Sequence, residues 1–311
     1  MNKRLEGVLS YMPDNLKRIF TGVFLKMGDN IQEIRIRSGL PLVIETSKGN
    51  FAVLPDGKLS SEVNGAYIAG ADDVKRVFYA VCENSIYAFA DDIRQGFVTI
   101  RGGHRVGITG RATVTNGKIE SFREITSLNI RIAREVIGAA DSITEHILKP
   151  NGILNTLIVS PPMGGKTTVL RDLTRQISDR GIKTAVVDER GELASIFHGV
   201  PQNNVGVHTD VIENVSKAEG MTMLLRTMSP ELIVTDEIST KRDAEAISRC
   251  FGTGVAVVAT AHGNSAKEIM KRRPLQEVLG DMGFRQIILL KKEIVGTDIK
   301  ILGEVTVIDK W

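Results

Sequence analysis

The residues best equipped for chemistry in this 311-residue chain follow a short apolar run, in Ser160-Pro161-Pro162-Met163-Gly164-Gly165-Lys166-Thr167-Thr168. Two adjacent glycines let successive backbone N–H groups converge on an anion, because no side chain blocks the approach and positive φ is open to them. Helical periodicity begins just beyond, so the loop presents those groups at a helix N-terminus, which already favours phosphate. Lys166 supplies a point charge for the β- and γ-phosphates, and the Thr167 hydroxyl is a ligand for Mg²⁺. The implied cofactors are ATP and Mg²⁺. Ser160 stands where the common pattern has its first glycine, but its Cβ is small and sits at the strand exit rather than against the phosphates. All nine residues from Ser160 to Thr168 are candidates for nucleotide contact.

Carboxylates follow at suitable places. The apolar run in Glu231–Ile238 ends in Asp236 and Glu237, which a parallel sheet would deliver at its ligand edge. One can hold the hydrated metal (Asp236) and the other can polarise the attacking water (Glu237). A second strand-like run ends in Asp188, Glu189 and Glu192. A third delivers Thr260, His262 and Asn264, with His262 placed to sense a γ-phosphate. The candidate catalytic residues are Glu237, Lys166, Glu189 and His262, and the candidate metal ligands are Thr167 and Asp236.

Composition narrows the class of protein that holds these groups. The hydrophobic fraction is 42% and the charged fraction 25%, values of an ordinary globular protein. A net charge of +3 is too small to argue for wholesale nucleic-acid binding. No run of about eighteen apolar residues offers a membrane span, and the N-terminus lacks the apolar core of a signal peptide. Only Cys82 and Cys250 are present, without metal-like spacing, as in a reduced cytoplasmic protein.

The elements that must position the site read as α/β. Residues 3–27 have the periodicity of one or two amphipathic helices broken at Pro13-Asp14, with Asp14 a candidate cap for the second. Residues 31–38 alternate with period two and stop at Gly39-Leu40-Pro41, a strand signature. The runs Leu42–Thr46 and Asn50–Leu54 look like further strands. Ala71 to Ala88 shows helical spacing behind a candidate Asp72 cap. Gly96–Val114 combines β-type alternation with five glycines between Gly96 and Gly110, the pattern of a glycine-punctuated antiparallel sheet. Arg101, Arg105 and Arg111 lie in it, either solvated or facing a phosphate, and His104 among them is expected to make an ordinary surface contact. Leu128–Gly138 reads as a strand passing into a turn. Asp141 is a candidate cap for a helix ending at Pro150-Asn151-Gly152. The division falls near residue 138, giving an N-terminal α/β domain, 1–138, and a nucleotide-binding domain, 139–311.

The order of these motifs resembles the secretion ATPases of type II, type IV pilus and type IV secretion systems. Their phosphate loop is similar to residues 160–168, and their acidic Asp box to 186–192. Their Walker B region is similar to 224–238, and their His box to Thr260, His262 and Asn264. Within that superfamily the chain most resembles the stage III sporulation AA family of endospore-forming bacteria, through the loop, the carboxylate strands and the Gly96–Val114 region. Asp236 departs from the superfamily, which usually carries glycine there. The resemblance implies a RecA-like P-loop ATPase core with a smaller N-terminal domain that moves on it, commonly in a homo-hexameric ring. It implies a mother-cell cytoplasmic ATPase, peripherally associated with a membrane complex, that powers or assembles the channel between mother cell and forespore. Partners would be membrane proteins of the same operon, with no nucleic acid. Arg101, Arg105, Arg111 and Arg123 would be candidates to reach a neighbouring active site.

Other readings compete with a motor. A nucleic-acid-remodelling ATPase would use the arginine-rich sheet, but only Phe97 and Phe122 lie near it and no stacking platform is evident. A scaffold that binds nucleotide without hydrolysing it would account for the imperfect loop. A small-molecule kinase fits least, as no acceptor pocket or lid follows the loop.

Overall fold

The computed structural model describes residues 3–150, 152–279, 283–295 and 298–308. The chain divides into two compact units, one of Met1–Arg134 with Phe197–Gln202 and one of Glu135–Ile196 with Asn203–Trp311.

The first unit is an antiparallel sheet covered by helices. It contains α1 (Lys3–Leu9), α2 (Asp14–Met27), β1 (Ile31–Arg37), β2 (Val43–Thr46), β3 (Gly49–Val53), β4 (Leu59–Ser60), α3 (Ala71–Val81), α4 (Ala90–Gln95), β5 (Phe97–Ile100), β6 (His104–Thr115) and β7 (Lys118–Arg131). The seven strands run β4-β3-β2-β1-β7-β6-β5, each antiparallel to its neighbour. On α2, Leu16, Ile19, Phe20, Val23 and Phe24 are buried, the i, i+3, i+4 stripe that packs a helix on a sheet. They share one core with Ile34 and Ile36 of β1 and Leu128 and Ile130 of β7. A register shift between Ile31 and Glu33 lets Ile31 and Ile34 both be buried despite their odd spacing.

Several local expectations are corrected here. The caps at Asp14 and Asp72 are not made: Pro13 precedes α2 without a side-chain cap, and Gly70 precedes α3 while the Asp73 carboxylate accepts from the Gly70 N–H. The helix from Ala71 ends at Val81, because Glu83 and Asn84 take φ of 49° and 60° and turn the chain before α4. His104 is wholly buried rather than at the surface. Its Nε2 meets the Arg4 carbonyl at 3.1 Å, and its Nδ1 accepts from the Ala133 N–H at 3.0 Å. Burial pulls its pKa down to about 4. The ring is therefore a neutral pin between the two ends of the unit's main segment.

The second unit is a doubly wound sheet. It contains α5 (Asp141–Ile147), β8 (Thr156–Ser160), α6 (Lys166–Ser178), β9 (Thr184–Asp188), β10 (Thr209–Glu213), α7 (Lys217–Thr227), β11 (Leu232–Thr235), α8 (Lys241–Gly252), β12 (Ala256–His262), α9 (Ala266–Met270), β13 (Gln286–Val295) and β14 (Asp298–Val307). The order is β10-β9-β11-β12-β8-β13-β14, parallel throughout except for the closing β13–β14 hairpin. Every residue of β8, β9 and β11 is buried, as expected for strands covered on both faces. Leu157 and Val159 point into one core and Ile158 into the other. Asp141 does not cap α5: it is the first residue of the helix, preceded by Ala140, and the helix ends at Ile147. The Ala140 N–H goes instead to Asp172, at 2.9 Å.

Candidate active site

The candidate residues meet at the carboxyl edge of the second unit's sheet. Strand β12 lies between β8, which carries the phosphate loop, and β11, which carries the carboxylates, and its register sets Ser160 beside His262. The chain leaves β11 under tight control: the Glu237 N–H donates to Thr260 Oγ1 at 2.8 Å and the Ile238 N–H to the Thr260 carbonyl at 2.8 Å. Thr260 thus fixes the backbone from which Glu237 projects.

Lys166 is buried and lies inside a cradle of acceptors. Its ammonium donates to the Ser160 carbonyl at 3.0 Å and to His262 Nδ1 at 2.8 Å, with Ser160 Oγ and the Pro161 carbonyl each at 3.4 Å. Burial lowers its pKa, and the charge of Glu237 opposes that fall. An ammonium has only protons to give, so Nδ1 is the acceptor and the ring proton belongs on Nε2. That nitrogen lies 3.4 Å from the Glu237 carboxylate, which Arg190 also approaches at 3.5 Å. Lys166, His262 and Glu237 form one polar chain. Asn264 stands apart: its N–H donates to Glu268 at 2.8 Å and opens α9.

The loop fits a phosphate cradle. A Cβ on Gly164 would stand 2.2 Å from Ser160 Oγ, and one on Gly165, at φ +92°, 2.7 Å from Ile301 Cδ1. Neither position accepts a side chain without movement. Met163 holds φ +59° and is 92% exposed, a strained position for a non-glycine residue. Ser160 is wholly buried; its hydroxyl donates to the Pro161 carbonyl at 2.9 Å and lies beside Lys166.

The two acidic strand ends behave differently. Asp188 accepts from the N–H groups of Glu192, Leu193 and Ala194 at 2.8, 2.8 and 2.9 Å, which commits its carboxylate to shaping the loop. Arg171 of α6 ties the same loop down through the Glu192 and Leu193 carbonyls. Glu189 and Asp236 instead share a cation, Lys217: its ammonium pairs closely with Glu189 and lies 3.3 Å from Asp236 Oδ1. That oxygen is buried and accepts no aligned hydrogen bond, its neighbour being the Lys217 ammonium, and a carboxylate oxygen of this kind is one that a hard divalent cation takes. Burial raises the Asp236 pKa, Lys217 opposes the rise, and Asp188 and Glu192 add to it. Burial pulls Lys217 down, but Glu189 and Asp236 outweigh it and leave its pKa raised.

A sequence model for the family described as "Sporulation stage III, protein AA" matches residues 2–305. The chain belongs to that family. Stage III sporulation protein AA of Bacillus subtilis is 35% identical over 294 residues, covering 93% of this chain and 91% of the relative. The fold is shared with solved structures. The Legionella pneumophila ATPase DotB superposes with a TM-score of 0.60 at 19% identity, over 96% of this chain and 83% of its own. The pilus retraction motor PilT with bound ADP superposes with a TM-score of 0.61 at 15% identity, over 93% and 82%. The chain is thus a member of that sporulation family with a RecA-like fold shared with DotB and PilT. Among the described residues no helix is long and apolar enough to cross a membrane.

In this family member two of the four candidate arginines of the first unit have local partners. Arg105 lies 4.7 Å above the Phe97 ring, and Arg111 is 3.8 Å from Glu124. Arg101 and Arg123 are exposed. The sequence reading missed Lys217 and Arg190. Lys217 had a readable signal, since a lysine in the first turn of a helix faces the positive end of the helix dipole and needs carboxylates to hold it. Arg190 had none beyond its place between two acids.

Proposed function

We propose that this protein is a Mg²⁺-dependent ATP hydrolase that works as a homo-hexameric ring in the mother-cell cytoplasm. It would power or assemble the channel complex between mother cell and forespore, in contact with membrane proteins of the same operon. The supporting observation is the chain Lys166–His262–Glu237, which links the phosphate-loop lysine to a carboxylate able to orient water. The names of the fold neighbours support the same reading: one is an ATPase and the other a motor holding ADP.

Each residue then has a distinct task. The N–H groups of Met163 to Thr168 surround the phosphates, and Ser160, Pro161 and Pro162 set the loop's exit from β8. Lys166 exchanges the Ser160 carbonyl and His262 Nδ1 for β- and γ-phosphate oxygens. His262 then has Nδ1 unpaired and Nε2–H directed to Glu237, so it reports arrival of the triphosphate to the group that orients water. Thr167 and Asp236 would hold Mg²⁺, which supplies charge neutralisation on the phosphate oxygens. Glu189 shares the acidic edge and takes part through Lys217.

The test is phosphate release together with native mass, with and without ATP. Turnover above the level of Lys166→Ala and a nucleotide-dependent hexamer are expected. Release no higher than in Lys166→Ala, with ATP still bound by the parent, would leave a nucleotide-binding scaffold instead.

A further inference from the structure

Lys217 sits where nothing in a phosphate-loop site requires a lysine. It opens α7, whose first-turn N–H groups already make that end positive, and its side chain is only 4% exposed. A buried ammonium is costly unless carboxylates surround it. Here they do: Glu189 in close contact, Asp236 Oδ1 at 3.3 Å, and Asp188 and Glu192 adding negative charge around Asp236. Two carboxylates from adjacent strands, one with a buried oxygen lacking an aligned hydrogen bond, form the donor pair a Mg²⁺ or Mn²⁺ ion takes. The lysine occupies the space between them.

We propose that Lys217 is a tethered cation that fills the divalent-metal position between Glu189 and Asp236 while the nucleotide site is empty. Free metal is then excluded, and the metal enters only with nucleotide, whose phosphates supply the further ligands that displace the ammonium. This rests on the assignment of Asp236 to metal, but not on turnover. It assigns Lys217 as a positioning residue, since it acts through the carboxylates rather than on ATP.

Mn²⁺ binding to the nucleotide-free full-length protein, read by the loss of the free-ion paramagnetic resonance signal, tests it without catalysis. The parent is expected to bind Mn²⁺ weakly alone and at least about tenfold more tightly with ADP or ATP, beyond the Mn²⁺ that the same nucleotide takes up without protein. Lys217→Met and Lys217→Gln, the latter keeping the space filled, should bind nucleotide-free Mn²⁺ at least about tenfold more tightly than the parent. Lys217→Arg should behave as the parent, and adding Asp236→Asn to Lys217→Met should remove the gained site. A folded Lys217→Met or Lys217→Gln protein with parental Mn²⁺ affinity overturns the proposal. So does a parent that binds Mn²⁺ tightly without nucleotide and loses it in Asp236→Asn, an arm that needs no Lys217 variant to fold. If nucleotide fails to recruit Mn²⁺ but the Lys217 variants still gain it, the exclusion of free metal by Lys217 stands, while entry of the metal with nucleotide fails together with the ATPase reading.

Discussion

The Lys166 ammonium lies 2.8 Å from His262 Nδ1, so the lysine that should grip phosphate is held by the histidine that should sense it. In the proposed cycle each would release the other as a triphosphate binds. His262→Ala removes one of the acceptors holding Lys166 but leaves the Ser160 carbonyl. ATP affinity is expected to stay within about threefold of the parent or to tighten, while phosphate release falls by about 10²-fold, the scale of losing one preorganised polar contact to the reacting group. Fluorescent-nucleotide titration beside a release assay reads both numbers, and parental turnover in the variant would remove His262 from the mechanism.

Glu237 and Lys166 should separate binding from turnover. Glu237→Gln keeps the Thr260 hydrogen bond to the backbone and is expected to bind ATP while losing about 10²-fold or more of turnover. Lys166→Ala should fail at binding itself. Equal ATP affinity in Lys166→Ala and the parent would show that the loop does not use its lysine.

Ser160 and Gly164 should be coupled. A Cβ on Gly164 would stand 2.2 Å from Ser160 Oγ and 2.9 Å from the Pro161 carbonyl. Gly164→Ala alone is expected to abolish nucleotide binding. Ser160→Gly relieves the first clash but not the second, so the double variant should recover part of the affinity. A double-mutant cycle with a coupling of roughly 1 kcal/mol or more is expected for groups in contact; strict additivity would contradict the geometry.

Removing the positive charge at Lys217 leaves Glu189 and Asp236 without their shared partner. Lys217→Met is expected to cost about 3–5 kcal/mol, the scale of breaking a buried pair from one side, with Lys217→Arg costing less. Urea midpoints at constant pH make the comparison, and a Lys217→Met midpoint equal to the parent's would show that the pair carries no stability.

His104 gives the first unit a stability that depends on acid. Its pKa is lowered from 6.5 to about 4, so the unfolded chain binds a proton at a pH where the folded ring does not. Stability from this residue is present above about pH 6.5 and is lost as pH falls toward 4, by about 3 kcal/mol over that interval. Unfolding midpoints at several pH values should fall less steeply in His104→Gln than in the parent, whatever the variant's baseline. Parallel slopes would refute the buried-ring account.

The fold was legible where periodicity was strong and both faces of a strand were covered. The runs into Ser160, Asp188, Thr235 and His262 read as buried strands because nothing charged interrupts them, and the parallel sheet brings their ends to one edge. The α2 stripe was equally plain. Helix starts were not, because an aspartate near a helix N-terminus lowers the energy of the first turn from several positions, and only backbone geometry says which one it occupies. Asp14 and Asp141 fell inside their helices for that reason. His104 was misplaced because its partners, the Arg4 carbonyl and the Ala133 N–H, are backbone groups about a hundred and about thirty residues away in sequence, and no local pattern announces them. Lys217 escaped because it answers to charges on two other strands.

Residues Phe197–Gln202 belong with the first unit, although they follow the acidic loop at Asp188 in sequence. There His198 meets Glu83 at 2.9 Å and the Gly102 N–H donates to Gln202 at 2.7 Å. The first unit is therefore incomplete when the ribosome has finished Arg134. It must wait for the 62 residues from Glu135 to Ile196, roughly 3–12 s at ordinary rates of synthesis. By then the phosphate loop and the first acidic strand have already been made. The N-terminal half cannot be born finished, and a gene cut at residue 134 would divide it from its last piece.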